Sequence, residues 1–170
     1  QKKIAAEIIE KEADYVLALK KNHPTLYEQV GDHFLDAQES NNPRLRHVRR
    51  CESSHGRHET RHFYILPAPG DLHEHDEWKG LKSIGMIVRS WIDRKTGEEK
   101  GDVRYYLTSL LPKVTKFAHV GRSHWGIENS LHWVLDVAFR EDLCTIQNPN
   151  AAANLSAMNR LALCALKANH

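Results

Sequence analysis

The apolar residues change their spacing twice along this chain, and that change limits the fold more than any other feature. In "QKKIAAEIIEKE" Ile4, Ile8 and Ile9 recur at helical spacing, with Glu and Lys between them. "DYVLALK" (Asp14 to Lys20) is short, apolar and partly β-branched, which predicts a buried strand. Asn22 and Pro24 open a second helix with Leu26, Val30, Phe34 and Ala37 on one face, and Asn41, Asn42 and Pro43 end it. Helical spacing then disappears. "ETRHFYILPAP" reads as a strand ending at Pro67, and "SIGMIVRSWID" and "GDVRYYLTSL" read as strands flanking the turn-rich "RKTGEEKG". "GDLHEHDEWKG" is a loop or short helix. After Pro112 the helical period returns. "KVTKFAHVGR" predicts a short helix, and Ile127, Leu131, Val134, Leu135 and Ala138 form the stripe of the next. A last helix starts at Asn150 as its N-cap and presents Leu155, Met158, Leu161, Leu163 and Leu166. The order helix, strand, helix, small antiparallel sheet, helix, helix predicts an α/β fold in one domain over 1–170, with the sheet inserted at about 44–111.

A length of 170 residues suits one domain, and 41% hydrophobic with 27% charged residues suits a globular chain rather than a disordered one. No window approaches the roughly 18 apolar residues of a membrane span, so no membrane partner is expected. The first residues are charged and amphipathic, unlike a secretory leader. Cys51, Cys144 and Cys164 are odd in number and lack CxxC spacing, which predicts reduced thiols in the cytosol. The chain does not begin with Met, so a fragment of something longer is expected.

Basic charge is uneven. Arg44 to Arg61, "RLRHVRRCESSHGRHETR", carries six arginines with histidines between them against two glutamates. Such a run can meet phosphates, and Arg49 and Arg50 are its candidate DNA contacts; the alternative is a solvated, charged strand pair. Lys20 and Lys21, with His23, follow the first strand and are a second candidate contact with a DNA backbone. The histidine clusters His55, His58 and His62, and His73, His75 and Asp76, raise a zinc reading. No cysteine pair joins them, and "HEHDE" lacks the HExxH spacing. No GxSxG elbow supports a nucleophilic triad.

The sharpest candidate is Glu128 in "GRSHWGIENSLHWVLDVAFRED" (Gly121 to Asp142). With about 100° per residue, Glu128 falls at one edge of the apolar stripe, with His132 and Asp136 drifting outward behind it. Trp125 lies one turn before it, and Arg122 and His124 are nearby. A carboxylate at the rim of a core is placed to face a cleft, where it can hold Mg²⁺, which takes oxygen ligands. The bland alternative is a solubilising pair with Arg122 or His124.

Four segments carry a resemblance: "QKKIAAEIIEKEADYVLALKKNHPTL", "YYLTSL", "RSHWGIENSLHWVLDVAFRED" and "NAAANLSAMNRLAL". Over essentially its whole length the chain resembles bacterial insertion-sequence DDE transposases of the H-repeat-associated branch. The resemblance implies an RNase H-like fold in which Asp, Asp and Glu bind two Mg²⁺ ions and drive cleavage and strand transfer of DNA, at transposon ends and target, with oligomers possible. It implies that Glu128, in the W-x-I-E-N context of Trp125, Ile127 and Asn129, is the catalytic and metal-binding Glu. The resemblance implies that Arg122, His124 and Trp125 are the DNA contacts of that turn. The wider group often has Tyr and Arg at seven and four residues before this Glu, where this chain has Gly121 and His124. Neither Asp14 nor Asp32 matches the context of the other two carboxylates. The chain therefore reads as a C-terminal part, a partial RNase H-like fold with its leading strands missing, from a cytoplasmic, nucleoid-associated enzyme and inactive alone. The rival readings are a non-catalytic DNA-binding or assembly module and a histidine-rich metal-binding domain.

Overall fold

The computed structural model describes residues 1–54, 57–92, 96–127 and 133–168; for 53, 54, 57, 58, 124–127 and 133 it describes the backbone alone. The elements are α1 (Lys2–Glu10), β1 (Val16–Leu19), α2 (Pro24–Glu39), β2 (Arg46–Ser54), β3 (Arg57–Pro67), β4 (Ser83–Ile92), β5 (Glu99–Thr108), α3 (Val114–Ile127), α4 (Trp133–Val137) and α5 (Pro149–Ala168). The chain divides into two compact units, Gln1–Gly121 and Arg122–His170.

The first unit is built on one five-stranded antiparallel sheet in the order β1-β5-β4-β3-β2. The strand read at Asp14–Lys20 is an edge of this sheet, so it and the strands of the middle segment form a single layer. Alternation sends Tyr64, Leu66, Ile84, Met86 and Leu107 to one face, where they meet α1 and α2. The predicted face of α2 holds in full: Leu26, Val30, Phe34 and Ala37 are all buried. In α1 the buried residue is Ala5, with Ile8 and Ile9 packed beside it, whereas Ile4 is 52% exposed. Trp78, next to a single 3-10 turn in the segment read as a loop or short helix, is buried in the same core.

The opposite face of the sheet presents Phe63, Ile65, Ile87 and Tyr106. Here α3 lies against it through Val114, Phe117, Ala118 and Gly121, a helical i, i+3, i+4, i+7 row. Gly85 allows the close approach: a Cβ at that position would come within 2.4 Å of the Phe117 ring. Beyond the row of Phe63 and Ile87, four strands continue past these core clusters, from Arg49 to Ser54 in β2 and from Arg89 to Ile92 in β4.

In the second unit α4 buries Leu135, with Val134 half-buried. Ala138, placed on the stripe by spacing, lies past the helix end and is exposed; Arg140 follows in the left-handed region (φ 54°), where a helix cannot continue. The last helix starts earlier than predicted. Asn148, not Asn150, caps it, its Oδ1 accepting from the amides of Asn150 and Ala151 with Pro149 at the first helical position. Of its five apolar positions only Leu163 is buried; Leu155, Met158, Leu161 and Leu166 are exposed. No described helix is long and apolar enough to cross a membrane.

Candidate functional site

The two candidate DNA-contact groups of the sheet sit at opposite edges. Lys20 and Lys21 follow β1, and Arg49 and Arg50 belong to β2. Four interstrand steps at about 4.8 Å separate the edges by about 19 Å, so the pairs cannot share a phosphate. All four side chains are exposed, and the Lys21 ammonium lies 6.0 Å from the centre of the Tyr27 ring. Arg49 and Arg50 point to opposite faces, because neighbours on a strand alternate.

On the α3 side, Arg50, Arg61 and Arg89 stand directly opposite one another across β2, β3 and β4. Like charges at such positions repel. The next row answers them with Glu52 and Glu59. Arg61, only 8% exposed, pairs with Glu59 and donates to Glu52 Oε2 at 3.2 Å. Arg89 Nε lies 3.0 Å from Glu59 Oε1, close enough to pair but without hydrogen-bond alignment, and its guanidinium covers the Trp91 ring at 4.5 Å. Arg50 is exposed outside these pairs. The basic run is thus part structural ion pairs and part outward charge, a division that sequence spacing does not show.

The other face carries a cluster that sequence reading missed. His47 Nε2 and His62 Nδ1 lie 3.0 Å apart, and the His47 ring covers Tyr64 at 4.5 Å between centroids. His62 belonged to a possible zinc trio; its real partner is on the neighbouring strand, diagonal in the register. Of the other two members, His55 and the His58 side chain lie outside the described residues. His75 pairs with Asp76, His73 approaches Glu74, and Lys2 reaches Glu74 and Glu77. Among the described residues no group of three or more His, Cys, Asp or Glu is placed to hold a metal ion.

The "YYLTSL" segment has a structural explanation. Tyr105 packs against Tyr27 and Phe34 of α2, and Tyr106 against Phe117 of α3. Thr108 and Ser109, both fully buried, join β5 to the start of β1. Thr108 Oγ1 donates to the Tyr15 carbonyl (2.7 Å) and accepts from the Leu110 amide (3.0 Å). Ser109 Oγ accepts from the Tyr15 amide (2.9 Å) and donates to Asp14 Oδ1 (2.9 Å). Lys116 of α3 reaches the other Asp14 oxygen at 3.4 Å. The Ser109 hydroxyl first, and Lys116 after it, hold Asp14 below the ordinary carboxylate range. Asp14 is therefore engaged in a structural tie.

α3 is one helix from Val114 to Ile127, joining the short helix predicted at its start to the beginning of the Glu128 segment. Arg122 is exposed on it, and the backbones of His124 and Trp125 are helical. Glu128, with Leu131 and His132, lies outside the described residues, as does the expectation that its carboxylate faces a cleft. Gly121 accounts for one departure from the wider group. A Cβ there would stand 3.0 Å from Ile87 Cδ1 and 3.6 Å from Phe63, so a bulkier side chain at 121 would crowd the α3–sheet contact.

Comparison with known proteins agrees with the motifs. A family model described as "Transposase DDE domain" matches residues 1–165. The "H repeat-associated putative transposase YhhI" of Escherichia coli K12 is 38% identical over 166 residues, covering 96% of this chain and 44% of that protein. The "Putative transposase YncI" of Escherichia coli O157:H7 is 39% identical over 96% of this chain and 42% of its own length, and the "Putative protein YbfL" of strain K12 is 39% identical over 96% and 44%. The chain thus spans less than half the length of these curated relatives. No solved structure matches it significantly. With a transposase model matched across residues 1–165 and the Glu128 motif within that span, the chain belongs to the transposase DDE domain family.

Proposed function

We propose that this chain is the C-terminal part of a DNA transposase that cleaves and rejoins DNA at transposon ends and target, with Glu128 as its catalytic and metal-binding carboxylate. The observation that carries this reading is the family match over residues 1–165, which includes Trp125, Ile127, Glu128 and Asn129 in their motif order. In such a protein Mg²⁺ ions supply charge stabilisation to the attacking and leaving oxygens of phosphoryl transfer. The described residues do not fit a two-ion centre by themselves, since no acidic cluster is gathered among them. Mg²⁺ shares its waters reluctantly, and one glutamate does not clamp two ions. The two further carboxylates would come from the part of the relatives that this chain does not match, together with the leading strands of an RNase H-like sheet. The chain's own residues then have two tasks: Glu128 supplies an oxygen ligand, and basic side chains hold the DNA backbone. Arg122, His124 and Trp125 serve the turn beside Glu128. Lys20 and Lys21 at one sheet edge, and Arg49 and Arg50 at the other, contact separate stretches of phosphate.

A strand-cleavage and joining assay on the chain extended to its relatives' full length, in Mg²⁺ and beside its Glu128→Gln variant, tests the assignment. Activity lost in the variant is expected, and the 170-residue chain should be silent. Unchanged activity in Glu128→Gln removes Glu128 from the site; metal-dependent cutting by the short chain removes the need for added carboxylates. For the DNA contacts, Arg49→Ala with Arg50→Ala should weaken duplex binding equally for unrelated sequences and lower the salt slope by about 2. An unchanged slope would show that this edge does not meet phosphate.

A further inference from the structure

The planes of His47 and His62 lie within 6° of each other, yet the rings are not stacked face over face. Their nitrogens meet at 3.0 Å while their centroids stay 5.2 Å apart, which requires the rings to lie nearly end to end in one plane. The gap is the length of a hydrogen bond. It is too short for a metal between facing lone pairs, because two Zn–N bonds of about 2.0 Å in line need about 4 Å. One proton fills it.

This geometry couples the tautomers. If His47 Nε2 donates to His62 Nδ1, both rings carry their N–H on Nε2; if the bond runs the other way, both carry it on Nδ1. In either case the next proton goes to the outer nitrogen of the donor ring. The product is the same: one cationic ring, one neutral ring and a single proton between them, a charge-assisted and stronger bond. A further proton would put two N–H groups head to head across 3.0 Å. The surroundings favour the single charge. His47 lies over the Tyr64 ring at 4.5 Å, where a cation is attracted. Arg49 stands directly opposite His62 and resists more charge. Burial, with His47 and Arg49 adding to it, holds His62 below the ordinary imidazole range.

Among the described residues, the other groups facing the pair are few. On β2 and β3 they are Tyr64, and Cys51 beside Thr60; on β4 Val88 is opposite His62. From α2 and the turn after it, Ala37, Gln38, Asn41 and Asn42 line the hollow beside His47, and none of them ionises. We propose that His47 and His62 form one proton-binding unit, which shares a single proton between its rings and takes up its charges one at a time rather than together. The first added proton therefore gives β2 and β3 together one positive charge, not two, beside Arg49. This inference concerns the protein by itself and stands or falls independently of the transposase reading.

The test is a titration of the ¹⁵N-labelled chain, following the histidine ring nitrogens by NMR. At high pH His47 and His62 should show the same tautomer, and on acidification two steps should appear, more than about one pH unit apart. In His62→Leu, His47 should titrate in one step with its midpoint moved; His47→Leu should do the same for His62. A single titration step in the parent chain, or a His47 curve unmoved in His62→Leu, would overturn the proposal. If neither variant folds, the tautomers of the parent chain decide alone: opposite tautomers leave the gap with no proton or with two, and exclude the shared one.

Discussion

Replacing Gly85 with alanine drives a methyl group into the packed seam between the sheet and α3. The added Cβ would lie 2.4 Å from Phe117 Cζ, 2.6 Å from Cε2 and 3.0 Å from Cε1, so the ring must move by about 1 Å to reach ordinary contact. It has nowhere easy to go. Phe117 is fully buried, with edge contacts to Phe63 at 6.4 Å and Tyr106 at 5.7 Å. Overpacking of this kind costs roughly 1–3 kcal/mol, and a ring held on two sides belongs in the upper half, about 2–3 kcal/mol. For a chain of this size that lowers Tm by roughly 5–10 °C. The assay is urea denaturation followed by far-ultraviolet circular dichroism and by tryptophan fluorescence. Gly85→Ala combined with Phe117→Leu, which shortens the obstructing ring, should be more stable than the sum of the two single changes by at least about 1 kcal/mol. A Gly85→Ala chain within about 0.5 kcal/mol of the parent, or strict additivity in the pair, would refute the claim that this glycine exists to admit α3.

Thr108→Val keeps the shape but strips the buried Leu110 amide of its acceptor, and should cost about 1–3 kcal/mol by chemical denaturation; no loss would mean that the hydroxyl tie is idle. The acid limb of stability should contain a share from Asp14. Its carboxyl is lowered in the folded chain by Ser109 and then Lys116, so its contribution is complete above the unfolded value of about 3.9 and is lost as pH falls through the lower folded value. Urea midpoints between pH 6 and pH 2.5 should therefore fall less steeply in Asp14→Asn than in the parent, and parallel curves would argue against the tie.

Sequence patterning was legible where one face of an element is dry. Leu26, Val30, Phe34 and Ala37 are all buried because α2 lies flat across the sheet. Pattern failed where packing, not period, decides. Ile4 has helical spacing but points to water, and four of the five apolar positions of α5 are exposed. β2 was visible only as a charged run, because its outward half alternates basic and polar residues on both faces and gives no apolar signal. "YYLTSL" stood out as a motif, while its chemistry, hydroxyls that complete a strand junction, depends on a partner about 90 residues earlier, which no local reading supplies. The His47–His62 contact is diagonal across two strands, so it needs the register. Glu128 was singled out by its motif, and its position lies outside the described residues.

The junction between β1 and β5 also bears on synthesis. Tyr15 and Ser109 are 94 residues apart, and every hydrogen bond of β1 in this sheet waits for the last strand to be made. At about 5–20 residues per second the ribosome leaves Val16 to Leu19 unpaired for roughly 5–20 s. The strands from β2 to β5 each pair with the strand next in sequence, across at most the 15 residues between Pro67 and Ser83, whereas the β1 edge must pay for a far longer closure. A nascent chain stalled between Pro67 and Gly101 would therefore expose a short apolar strand with no partner, and that interval, rather than the finished fold, is where this protein is most open to wrong pairing with another copy.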